Sequence, residues 1–191
     1  FVLRLDEAST GRVVDPRCGL RESRPPGKRY AHRAADHPAG SHSPLKLVNP
    51  PVALMFLEGT PRLLDAGVSI PGLHAGDSQR VALEAYPGFC ARQLVTGSYK
   101  NDAAAKQTPA RRQARWRMVA SLARRDNPFG FALTGSTQLL DSLVGDATGD
   151  RLDAALCAMQ AAWAWQRRDD NYGLPAHVDP LEGWIAMVPG K

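Results

Sequence analysis

The sequence predicts an α/β fold, on three observations. Short, β-rich apolar runs end at turn residues, as in Val81 to Tyr86 before Pro87. Longer stretches of helical period open on proline behind a capping side chain, and one closes on glycine. The chain has 191 residues, 43% hydrophobic and 23% charged, enough apolar mass for a single domain with a real core.

In chain order, "FVLRLDEASTGRVV" (residues 1–14) reads as a β-hairpin, two β-rich runs around a polar turn with glycine. Residues 15–45 are rich in Pro, Gly, Ser, His and basic side chains without a period. They read as an irregular basic segment. Residues 46–191 carry the main α/β body. "VNPPVALMFLEG" is a helix start with Asn49 as N-cap, and "TPRLLDAG" repeats the logic, with Thr60 capping, Pro61 opening and Gly67 closing at C′. The strand around Glu84 follows. "QTPARRQARWRMVASLARR" is a helix with Thr108 before Pro109 and an apolar stripe of Ala110, Ala114, Met118 and Leu122. Arg111, Arg112, Arg115, Arg124 and Arg125 lie mostly off that stripe, either as a solvated basic face or as a surface for nucleic acid. "DRLDAALCAMQAAWAWQRR" is the clearest helix, with Leu152, Leu156, Met159 and Trp163 as its core stripe, and "WIAMV" reads as a short last strand. There is no internal repeat, phosphate loop or dinucleotide fingerprint.

The formal net charge of +5 favours an anionic partner such as nucleic acid, weakly. Cys18, Cys90 and Cys157 are odd in number and widely spaced, without CxxC or a Cys/His zinc pattern, which suits a reducing compartment and a cytoplasmic location. No apolar run reaches membrane-spanning length, so no membrane partner is expected. The chain begins at Phe1 without an initiator Met, as a processed chain or part of a longer polypeptide would.

Three carboxylates stand out: Glu84 within an apolar run, and Asp150 and Asp153 together at a helix start. Hard cations such as Mg²⁺ or Mn²⁺ take oxygen ligands, and two of them about 4 Å apart can drive phosphodiester cleavage. Both features also have ordinary readings. Asp-x-x-Asp at a helix start resembles a capping box, with both charges favoured by the dipole, and Glu84 suits the solvent face of a half-buried strand. His32, His37 and His42 recur every five residues, as exposed loop residues or a loop metal site. No local signature supplies a base for Cys90 as a nucleophile.

"GKRYAHRAADHPAG", "SPLKLVNPPVALMFLEGTPRLLDAGVSIPGLHAG", "RVALEAYPGFCARQL", "SYKNDAAAKQTPARR" and "GDRLDAALCAMQAAWAWQRRDDNYGLPAHVDPLEGWIAMVP" together resemble the family catalogued as domain of unknown function 429. That family is regarded as predicted nucleases with a ribonuclease H fold. The resemblance spans about Pro25 to Gly190. It implies a ribonuclease H-like mixed sheet flanked by helices, with Glu84 as the strand acid and Asp150 and Asp153 as the late-helix pair, all three catalytic and metal-binding. Two family features, a first strand bearing Gly-x-Asp and an Asp-Phe-Pro-Phe-Gly stretch, are missing here. Asp6 is the one candidate for the first acid, and the fold is expected to be N-terminally incomplete.

The function so implied is a Mg²⁺- or Mn²⁺-dependent nuclease in which Lys46, Lys100, Lys106, Arg111 and Arg112 contact phosphates. Arg29 and Arg33 are expected to join that basic face. The alternative is a catalytically inactive ribonuclease H-like binding module, favoured by the missing first-strand acid. A third reading, an enzyme acting on a small phosphorylated metabolite, is opposed by the lack of a glycine-rich phosphate loop.

Overall fold

The computed structural model describes residues 30–48 and 50–190. The hairpin expected over 1–14, Asp6, Cys18, Arg29 and the Asn49 cap fall outside these residues. The described chain runs α1 (Asp36–Ala39), α2 (Val52–Asp65), β1 (Val68–Ser69), β2 (Asp77–Val81), α3 (Pro87–Leu94), α4 (Pro109–Leu122), α5 (Thr137–Gly145) and α6 (Asp150–Trp165), with 3₁₀ turns at Ala104–Lys106 and Asn171–Gly173. It divides into two compact units. One holds His42–Ala82, His177–Gly183 and the described residues before 38, and the other holds Pro38–Ser41, Leu83–Ala176 and Trp184 onward.

Helices and a small parallel sheet make up the first unit. β1 and β2 are the strands of the sheet among the described residues, paired in parallel with Val68 opposite Asp77 and an irregularity before Ser69 meets Val81. The return between them is tight enough to require Gly76, where a Cβ would lie 2.5 Å from the Val68 carbonyl oxygen. The helix starts expected before Val52 and at Thr60 are one helix. α2 runs through Pro61, which gives up its own N–H bond to the Leu57 carbonyl without ending the helix. The stop is where it was expected, with Gly67 at φ +63° just after the last turn. None of the residues of α2 is buried, and Leu54, Met55, Phe56, Leu63 and Leu64 all stand exposed.

The second unit has a dense core. Met118, Val119 and Leu122 of α4 meet Leu143 and Val144 of α5, Leu152, Leu156 and Met159 of α6, and Cys90 and Ala91 of α3. Each helix has a local reason to start where it does. Thr108 accepts the Arg111 N–H at 3.3 Å before Pro109. Ser136 accepts the Leu139 N–H at 3.2 Å. Pro87, read in the sequence as a strand end, is the first residue of α3, where its missing N–H costs nothing.

The strand expected over Val81 to Tyr86 is largely absent. β2 ends at Val81, and Glu84 makes a single parallel bridge to Ile185, its carbonyl accepting the Ala186 N–H at 2.9 Å. "WIAMV" likewise forms that one bridge and then turns, with Trp184 Nε1 donating to the Val188 carbonyl at 2.8 Å. Gln160 supplies what a ladder would otherwise provide. Fully buried on α6, it accepts the Tyr86 N–H through Oε1 and donates through Nε2 to the Ala186 carbonyl, both at 3.0 Å. These bonds satisfy backbone groups that would be costly to leave bare in the core. No helix among the described residues is long and apolar enough to cross a membrane.

Candidate nucleic-acid interface

Asp150 and Asp153 lie in the first turn of α6, as expected, but neither caps it through its side chain. The N-cap is Gly149, at φ +79°. Asp146 caps from outside. Its Oδ2 accepts the Arg151 N–H at 2.9 Å, and its Oδ1 accepts the Thr148 N–H at 3.2 Å and hydroxyl at 2.7 Å. These bonds, the Arg151 N–H foremost, hold the Asp146 carboxyl below its ordinary value. Asp150 is exposed, with Oδ2 3.1 Å from the Thr148 hydroxyl.

Asp153 has both oxygens engaged. Oδ1 accepts the Tyr99 hydroxyl, and Oδ2 pairs with Lys100 Nζ at 2.5 Å. Tyr99 is buried, and burial first, then the bond to Asp153, raises its pKa well above the usual range, so it stays a donor. Gly149 makes the pair possible, because a Cβ there would lie 2.7 Å from the Lys100 Cβ. Lys100 thus reaches Asp153 along the surface that Gly149 leaves open.

Glu84 is exposed, and its carbonyl accepts the Ala186 N–H beside the residues that Gln160 binds. Among the described residues no three His, Cys, Asp or Glu side chains stand close enough to hold a metal ion, and the His32 and His37 rings, 5.4 Å apart, are no exception. A Mg²⁺ or Mn²⁺ ion shared by Glu84, Asp150 and Asp153 therefore does not fit the residues as placed. Binding at Asp153 would also have to displace a lysine. Cys90 is buried and its thiol is pushed up to about 12, chiefly by burial, which removes it as a nucleophile at neutral pH.

Three of the five predicted phosphate contacts share one neighbourhood. Arg111 donates through Nε to Ser98 Oγ at 3.3 Å and through Nη1 to the Lys106 carbonyl, while Ser98 Oγ donates to the Lys100 carbonyl at 2.9 Å. Arg112 follows on the exposed side of α4. Lys46 belongs to the other compact unit. Lys100 is committed to Asp153, whereas Lys106 and Arg112 form no ion pair among the described residues. The loop carrying Lys100 and Lys106 is tied down by Gln107 Nε2, which donates to the Ala147 carbonyl at 2.9 Å.

Arg115 corrects the sequence reading outright. Expected on the solvated basic face, it is 3% exposed and donates from Nε to the Val144 carbonyl at 2.8 Å and from Nη1 to the Tyr99 carbonyl at 2.7 Å. Burial lowers its pKa. Its task is structural, joining α4 to the end of α5 and to the residue that holds Asp153. Tyr99, Asp146, Gly149 and Gln160 were not singled out in the sequence. An Asp-x-Thr-Gly turn ahead of α6 was the available signal for Asp146 and Gly149, and none marks Tyr99 or Gln160.

The chain matches no protein-family model, no curated protein and no solved structure.

Proposed function

We propose that this chain is a non-catalytic nucleic-acid-binding module, related to the ribonuclease H-like nucleases it resembles in sequence and contacting phosphates through Lys106, Arg111 and Arg112. The observation that carries this reading is the fate of Asp153. An acid expected to hold a metal is bound on one oxygen by Tyr99 and on the other by Lys100. Breaking that arrangement to admit a metal would leave the half-buried Lys100 ammonium without its partner. Basic side chains remain available beside it, and α4 exposes Arg112 and Arg117 and carries no acid. A Mg²⁺- or Mn²⁺-dependent nuclease is the rival reading. It rests on the resemblance and on Asp150 and Asp153 sharing one turn.

The test is binding of labelled DNA or RNA across a salt series, with cleavage followed in the same samples with and without Mn²⁺. Phosphate neutralisation releases counterions, so affinity should fall steeply as salt rises. Arg112→Ala should weaken binding to every sequence alike and flatten the salt slope by about one unit. Metal-dependent cleavage would replace this reading with the nuclease, and no binding at low salt would remove both.

A further inference from the structure

The chain has four tryptophans, and three have their polar or π surface engaged. Arg167 lies over the Trp163 ring at 3.9 Å, Arg168 over the Trp165 ring at 5.0 Å, and Trp184 donates its N–H to Val188. Trp116 has neither kind of contact. It is 55% exposed on α4, no guanidinium lies over its ring, and its N–H makes no hydrogen bond among the described residues. Its helical neighbours on the N-terminal side are polar or cationic, and those on the C-terminal side are Val119 and Ala120. Arg112 and Gln113 precede it by four and three residues, Arg117 follows it, and all three are exposed.

A large indole left open to water is costly unless something covers it. No other large apolar residue of α4 stands exposed, so the helix itself presents no apolar patch around the ring. An open ring with exposed guanidinium groups nearby in the chain is an arrangement that takes an unstacked base, the ring receiving the base and the guanidinium groups its phosphates. In a duplex, base faces are already covered by their neighbours, so a stacking ring gains nothing from one. We infer that Trp116 is a base-stacking platform and that the preferred ligand is single-stranded nucleic acid, held by Arg112 and Arg117. This rests on the nucleic-acid reading above and narrows it to a strand state.

The experiment compares the unmutated chain, Trp116→Ala and Trp116→Phe in binding fluorescent oligothymidylate of about 15 nucleotides and a duplex of the same length at low salt. Trp116→Ala should weaken oligothymidylate binding by about tenfold or more and leave duplex binding unchanged. Trp116→Phe should restore most of the lost affinity, and both variants should melt like the unmutated chain. Trp116→Ala binding oligothymidylate as tightly as the unmutated chain would overturn the stacking platform and leave the phosphate-binding reading standing. So would an equal loss for single strand and duplex. If the unmutated chain binds neither nucleic acid, the phosphate-binding reading fails and takes this inference with it.

Discussion

Helices α2 and α6 are nearly equal in length and both carry apolar residues at helical spacing, yet they end in opposite environments. α6 buries Leu152, Leu156, Met159, Gln160 and Ala164, while α2 buries nothing. A helical period is local, since residues three and four apart share a face whatever surrounds them. Burial is not local. α6 is covered because α3, α4 and α5 pack around it and because Gln160 meets backbone groups from residues 86 and 186.

The largest expected effect comes from truncating one apolar side chain in each helix. Leu156→Ala, at a fully buried site, should cost about 2–5 kcal/mol in urea unfolding. Leu63→Ala, where the side chain is 41% exposed, should stay within about 0.5 kcal/mol. Comparable losses at the two sites would show that the apolar side of α2 is covered in solution, and the contrast would collapse.

Glycine gives a contrast of sign. At Gly149 an alanine must hold φ near +79° and place its Cβ against Lys100, so Gly149→Ala should destabilise by about 1–3 kcal/mol and weaken the Lys100–Asp153 pair. Gly59 lies mid-helix in α2, and a Cβ there would meet nothing within 4 Å, so Gly59→Ala should stabilise by about 0.5–1 kcal/mol. Thermal melts of the two variants should move in opposite directions.

A smaller effect is expected at the start of α6. Asp146 caps it from outside, so Asp146→Ala should cost about 0.5–2 kcal/mol at neutral pH, whereas the N-cap of α2, Pro51, makes no side-chain cap bond. Because the folded-state pKa of Asp146 is depressed, its contribution is complete above the ordinary carboxylate value and is lost as pH falls through the lower folded one. The stability gap between Asp146→Ala and the unmutated chain should therefore close below about pH 4. A gap that persists in acid would mean the carboxylate charge is not what matters.

These contrasts mark what the sequence made legible. Thr108 and Pro109, Gly67, and the stripe Leu152–Leu156–Met159 act through chain neighbours, and the structure bears them out. The α/β class is met in coarse form, as helices with a two-stranded parallel sheet. Thr60–Pro61 misled because a proline that would open a helix is also tolerated inside one when the remaining bonds hold. Arg115 misled because a long cationic side chain can be buried if distant carbonyls receive it, and those belong to Tyr99 and Val144. The same holds at the site. That Asp153 stands at a helix start was visible, but its partners on a loop some fifty residues earlier were not.

The most direct test of the Asp153 assignment is a thermal melt of the unmutated chain and Asp153→Asn, each with and without Mn²⁺. With Tyr99 and Lys100 as the partners of Asp153, the unmutated chain shows no Mn²⁺-dependent shift. Asp153→Asn melts lower in both conditions, by an amount matching about 1 kcal/mol for a partly exposed, charge-assisted pair. A rise in melting temperature with Mn²⁺ that Asp153→Asn abolishes, together with a metal-free Asp153→Asn more stable than the unmutated chain, would contradict that assignment and return Asp153 to the role of metal ligand.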